Sequence, residues 1–137
     1  MALISNPRAA DGLREIHVDA STSGIVLAAA ATTTAIAALS TKFTIFVQKL
    51  TIVITTSAAQ IITIKDSAGT PVVIGSIAAS AALGSVYTID FGSRGFALTE
   101  GKDLVIAQTA GPAYSYSVDA YQKQTTAGQA TTVNRTI

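Results

Sequence analysis

Residues 113–121 read AYSYSVDAY, and Tyr114, Tyr116 and Val118 alternate without a break with Ser115, Ser117 and Asp119. Successive side chains of a β-strand point to opposite faces. This order therefore gives one apolar and one polar face, the pattern of a half-buried strand. Residues 42–56, KFTIFVQKLTIVITT, alternate twice: Phe43, Ile45 and Val47 share one parity, and Leu50, Ile52 and Ile54 share the other. The parity slips at Gln48-Lys49, which predicts one long strand carrying a bulge or bend. QIITIKD (60–66), PVVIGS after the turn SAGT, SVYTIDF (85–91) and FALTEGKDLVIAQ (96–108) add further strands. In SVYTIDF, Tyr87, Ile89 and Phe91 share a face. FALTEGKDLVIAQ reads as a strand, a Glu100-Gly101 turn and a second strand. At least six strands at spacings of roughly 8 to 12 residues indicate an antiparallel sandwich or barrel.

Residues 24–41, GIVLAAAATTTAIAALST, leave three readings to separate. A membrane-spanning helix needs about 20 predominantly apolar residues. Here the only large apolar side chains are Ile25, Val26, Leu27, Ile36 and Leu39, with Asp19 and Lys42 on the flanks. Four consecutive alanines favour a helix. Thr32, Thr33 and Thr34 oppose it, because β-branched side chains lose rotamer freedom against the preceding turn. Among so many strands, residues 24–30 and 33–38 are read as two short strands with a tight connection near Ala30 to Thr33. Residues 14–20, REIHVDA, form another. The expected fold class is all-β: an antiparallel, jelly-roll-like β-sandwich of about eight strands. The expected organisation is an N-terminal arm over 1–13, the sandwich over 14–122 and a C-terminal arm over 123–137. Asn6-Pro7 followed by Gly12 gives the one helical signal, a single turn. The first 20 residues lack the apolar core of a signal peptide.

Composition limits the surface. Nine basic and eight acidic residues leave 12% of the chain charged and a net charge of +1. An ordinary domain is about 25% charged. Spread over the roughly 6,700 Å² that a folded chain of this mass exposes, that is about one charge per 400 Å². Such a surface resists association poorly, which implies that much of it faces other chains. Near-neutral charge argues for neither nucleic acid nor a charged membrane surface as partner. With no cysteine, disulfides and thiolate metal sites are excluded.

Few groups suggest chemistry. His17 is the only histidine. It alternates with Glu15 and Asp19 on one strand face, the arrangement of a polar outer surface, and a histidine-based metal site would need further ligands. GSRG and DSAG are turns without the lysine pattern of a phosphate loop. Glu100 and Asp103 flank a turn, where acids are common, and nothing marks them as converging in a cleft. Tyr114, Tyr116 and Tyr121 with Lys123 could stack bases beside a cation. However, Tyr114 and Tyr116 fall on the core face and the basic residues are scattered. No catalytic, cofactor-binding or metal-ligating residue is assigned, no cofactor is expected, and the chain is expected not to be an enzyme.

The order of an Ala/Thr-rich strand pair, FTIFVQKLTIVITTSAAQIITIKDSAGTPV, a Ser/Ala-rich loop and YTIDFGSRGFALTEGKDLVIAQTAGPAYSYSVDAYQ resembles the small decoration, or cement, proteins of tailed-bacteriophage heads. The resemblance covers about residues 20–122. It centres on a hairpin-like pattern of Gly95, Leu98, Thr99, Gly101 and Leu104 and on the alternating closing strand. It implies a jelly-roll-like virion protein, oligomeric and often trimeric. Such a protein would be clamped on the capsid surface with the major capsid protein as partner, without nucleic acid or membrane. The alternatives are another phage structural component, such as a head-fibre base or tail protein, and a soluble carbohydrate-binding sandwich.

Overall fold

The double alternation of residues 43–56 is realised as one fourteen-residue strand. Ile45 and Val47 on one side of the slip, and Leu50, Ile52 and Ile54 on the other, are all fully buried. The slip is a bulge. Asp119 pairs with Lys49 and Ala120 with Val47, so Gln48 has no opposite residue in the adjoining strand. The extra residue returns both halves to the same core face. Gln48 also anchors the neighbouring turn, donating from its side-chain amide to the Ser93 carbonyl at 2.7 Å and accepting the Phe91 N–H at 2.8 Å.

The computed structural model describes residues 17–26, 32–56, 61–78, 84–108 and 113–126. These form strands β1 (His17–Asp19), β2 (Thr22–Val26), β3 (Thr32–Ile36), β4 (Phe43–Thr56), β5 (Ile61–Asp66), β6 (Val73–Ala78), β7 (Val86–Asp90), β8 (Phe96–Ala97), β9 (Leu104–Ala107) and β10 (Ala113–Gln124), with no helix among the described residues. The Asn6-Pro7 turn lies outside them, as do Ala30 and Ala31 of the expected connection, whereas Thr32 and Thr33, expected in that connection, are in β3. Within residues 24–41, residues 24–26 belong to β2 and residues 32–36 to β3, so the β-branched Thr32, Thr33 and Thr34 are in a strand as their sheet context predicts; the four alanines at 28–31 lie outside the described residues.

Two antiparallel sheets result. One has the order β3-β9-β5-β6; the other runs β1-β10-β4-β7, with β2 also on β10 and β8 also on β4. β1 and β2 lie along one edge of β10 as a single interrupted course. Asp19 makes the interruption by accepting the Ser21 N–H at 3.0 Å. β7 and β8 likewise share the far edge of β4. Counted by course, the ten segments are eight. Course one pairs with eight, two with seven, three with six and four with five. This nested pairing is a long hairpin rolled into two sheets, the jelly-roll path.

The expected hairpin over 96–108 is corrected. The turn at Glu100-Gly101 is present, but β8 pairs with β4 in the larger sheet while β9 pairs with β3 and β5 in the smaller one. The chain crosses between sheets here, with Leu98 and Leu104 buried on either side of the crossing. The strand β10 also runs on through Lys123 and Gln124, into the segment read as the C-terminal arm.

The core between the sheets is aliphatic, with Tyr114 and Tyr116 from β10. Each fully buried Leu or Ile contributes about 1.5–3 kcal/mol. Tyr114 is the exception in kind: it is fully buried, and its hydroxyl has no hydrogen-bond partner among the described residues. Burial, with a smaller contribution from Tyr116, pushes this phenol well above its usual range. A buried hydroxyl without a partner costs about 1–3 kcal/mol. Tyr114→Phe is therefore expected to raise stability by about 1 kcal/mol in urea unfolding. A loss of stability of that size would show that the hydroxyl is bonded.

Candidate interaction surface

Strand direction divides the sandwich into two ends. The chain enters β1 opposite Lys123, three residues before the last described residue, so both terminal segments join the sandwich at one end. At this terminal end, polar side chains are spent on fixing loops. Asp66, fully buried, accepts the amides of Ala68 at 3.2 Å, Val72 at 3.0 Å and Thr99 at 2.9 Å. Burial pushes the Asp66 carboxyl up, but the hydrogen bonds from the Thr99 hydroxyl and from the three amides outweigh it, and the net shift is downward. Asp103 accepts the Ala38 amide at 2.8 Å. Gln122, also buried, receives the Leu39 amide and donates to the Ala37 carbonyl, both at 2.9 Å.

Glu100 holds the point where the chain leaves β10. One of its carboxylate oxygens accepts the hydroxyls of Thr125 and, at 2.6 Å, Thr126. The amides of both threonines reach the Lys42 carbonyl, at 2.8 and 3.3 Å. These hydroxyls, with the charge of Lys42, lower the pKa of the exposed Glu100 carboxyl.

The outer face of the larger sheet is read from its registers. Nearest the termini, the rings of His17 and Phe46 lie nearly parallel to Tyr121 on either side, with centroids 5.1 and 5.0 Å away. Phe46 is the in-register neighbour of Tyr121 and His17 is a diagonal one, so Tyr121 has a ring against each of its faces. The Tyr121 hydroxyl donates to the Arg94 carbonyl at 2.7 Å. Next comes an acid–base–acid row in register, Asp119, Lys49 and Asp90. Beyond it are two rows without charge: Ser23, Ser117, Thr51 and Thr88, then Ile25, Ser115, Val53 and Val86.

Among the described residues, that change marks a boundary through both sheets. In the smaller sheet, Lys65 and Asp66 close β5, and no described residue on the distal side of them is charged. Both edge strands of that sheet, Thr32–Ile36 and Val73–Ala78, lack charge and proline, the usual guards of a sheet edge. In sequence, residues 27–31, 57–60, 79–83 and 109–112, which lie between described segments, contain no charged residue. The three most exposed large apolar side chains of the described residues, Ile25 (74%), Val86 (60%) and Ile61 (59%), are all at this end.

Of the residues singled out from sequence, Glu15 lies outside the described residues. His17 and Asp19 share β1, with His17 stacked on Tyr121. Tyr114 and Tyr116 are in the core, as their parity predicts. Glu100 and Asp103 face different partners, the Thr125–Thr126 hydroxyls and the Ala38 amide. Gly95 and Gly101 have φ of 79° and 77°. Of the five residues that carry the decoration-protein resemblance, Leu98, Thr99, Gly101 and Leu104 belong to the crossing between sheets, and Gly95 closes the turn before β8. Sequence reasoning missed Asp66, although Asp66 shares the parity of Ile62 and Ile64 and so falls on the core face.

No protein-family model matches this chain, and no curated protein matches it. Among solved structures, it is similar to a chain of a structure described as "Bacillus endospore appendages form a novel family of disulfide-linked pili". The two share 15% identity over 82% of this chain and 92% of that one, with a TM-score of 0.48. Nothing of that protein's assembly carries over to this chain at such a level of similarity. The resemblance to phage-head decoration proteins is met by the architecture, a two-sheet β-sandwich, and not at any finer level.

Proposed function

We propose that this chain is a non-enzymatic structural subunit of a multi-copy protein assembly, held to its neighbours by its terminal segments. The observation that carries this reading is the shared exit. Residues 1–16 and 127–137 join the sandwich side by side, the first at β1 opposite Lys123, the second at threonines fixed by Glu100 and the Lys42 carbonyl. Two polar segments leaving one end of a rigid body can engage one neighbouring surface together, so their effective concentrations reinforce. The finer reading, from the resemblance over residues 20–122, is a decoration protein on a tailed-phage head with the major capsid protein as partner. A subunit that binds only the assembled shell stabilises that shell by mass action.

The stacked rings of His17, Tyr121 and Phe46 bear on the carbohydrate-binding alternative. Tyr121 has a ring stacked against each face, so neither face of this tyrosine is open as the flat platform that sugar stacking uses. Chains lacking 1–13, 127–137 or both leave the Glu100 clamp intact and should remain folded by circular dichroism. In co-sedimentation with purified phage heads, each deletion is expected to reduce occupancy and the double deletion to abolish it. Unchanged occupancy after the double deletion would overturn the reading. Immunogold labelling on tails or fibres instead of heads would move the protein to the alternative virion location. Specific glycan-array binding with absence from particles would replace the structural role altogether.

A further inference from the structure

We infer that the charge-free distal end, centred on Ile25, Val53 and Val86 with Ile61 on the opposite sheet, is the surface through which copies of this chain associate about a symmetry axis. The inference rests on the multi-copy reading above and names the self-contact within it. In a closed cyclic assembly, the groups nearest the axis meet their own copies. Any charge placed there meets its like, and such juxtapositions cost several kcal/mol. The terminal half of this sandwich cannot take that position at low cost: Lys42, Arg94, Glu100, Lys102 and Asp103 all belong to it. The distal half can, because none of the described residues beyond the Asp119-Lys49-Asp90 row and the Lys65-Asp66 pair is charged.

Apolar chemistry points the same way. Ile25, Val53 and Val86 lie in one register row across β2, β10, β4 and β7, on a flat sheet face whose β-branched side chains have few rotamers to lose on contact. Burying Ile25, Val86 and Ile61 would remove the three most exposed large apolar side chains of the described residues from water. Nucleic acid and anionic lipid are poor occupants, since both are bound through basic groups, of which the described residues at this end have none. An assembly with this end at its axis places His17 and Thr126, the described residues next to the two terminal segments, away from the axis.

The test uses the full chain and its mass in solution. Light scattering after gel filtration, at roughly 100 µM so that even modest contacts are populated, is expected to give a small multiple of 13.9 kDa. Ile25→Lys and Val86→Lys change exposed positions. Both are expected to keep wild-type circular dichroism while weakening association about 100-fold, as like charges meet at the axis. Leu39→Lys, at an exposed terminal-end position, is the control and should leave the mass unchanged. A monomeric wild type, or both distal lysine variants assembling as wild type does, overturns the inference; so does dissociation by Leu39→Lys alone. Particle binding by a monomeric wild type would sink this inference and leave the structural reading intact. An intact oligomer that ignores particles would do the reverse.

Discussion

Asp66→Asn is expected to destabilise the sandwich by about 2–3 kcal/mol, and Asp66→Ala by about 3–4 kcal/mol, in urea unfolding with an unchanged denaturant slope. The carboxylate is fully buried and both oxygens are in use, one on the amides of Ala68 and Val72, the other on the amide of Thr99. Asparagine can supply only one acceptor oxygen. Its NH₂ must then face an N–H, a donor against a donor, whichever way the amide is turned. Alanine leaves three donors without their acceptor. The same geometry sets a pH dependence. The amide and hydroxyl hydrogen bonds hold the folded Asp66 carboxyl below the usual aspartate range. The contribution to stability is therefore complete above the unfolded pKa, and is lost as pH falls through the lower folded value. Wild type should lose this component only below about pH 4, and Asp66→Asn should lack it. Equal acid sensitivity in wild type and Asp66→Asn would show that Asp66 is not the group responsible.

Asp66 also shows where the sequence was legible and where it was not. QIITIKD declares a strand through its alternation, and the same parity that buries Ile62 and Ile64 carries Asp66 inward. The pattern gives the direction of the side chain but not its partners, which come from the 67–72 loop and, across 33 residues of sequence, from Thr99. The bulge at Gln48 was legible because a slip of one residue would otherwise send every later side chain to the wrong face. The crossing at 98–103 was not, because a turn with glycine at a positive φ has the same local sequence whether the strands beside it pair or part. Charge-free runs are plain in the chain at 50–64 and 67–89. How these runs divide between the two ends, with the 67–72 loop beside Asp66 at the terminal end and the rows of Thr51, Val53, Val86 and Thr88 toward the other, depends on strand direction and connection, and follows only once the nested pairing of the eight courses is known.

Gly101→Ala is expected to cost about 3 kcal/mol or more, against about 1 kcal/mol for Gly92→Ala, and the pair separates backbone strain from steric conflict. Both glycines have positive φ, 77° and 84°. A side chain pays a similar price for that conformation at each. Around Gly92 an added Cβ meets nothing within 4 Å. At Gly101 it would sit 3.0 Å from the Thr41 Cα and 3.1 Å from the Thr41 carbonyl oxygen. Those atoms are main chain, and the turn that holds them is fixed: Phe43 donates to the Ser40 carbonyl at 3.2 Å, and Gly101 itself donates to the Phe43 carbonyl at 2.8 Å. Relief would have to pull the 99–102 turn away from the 40–42 turn, which would also strain the Glu100 contacts to Thr125 and Thr126. Gly101→Ala should therefore speed amide exchange at Thr125 and Thr126, which donate to the Lys42 carbonyl, whereas Gly92→Ala should leave those amides as they are. Equal losses of stability from the two substitutions would mean that the close approach of Thr41 contributes nothing. The crossing between sheets would then depend on the conformation of Gly101 alone.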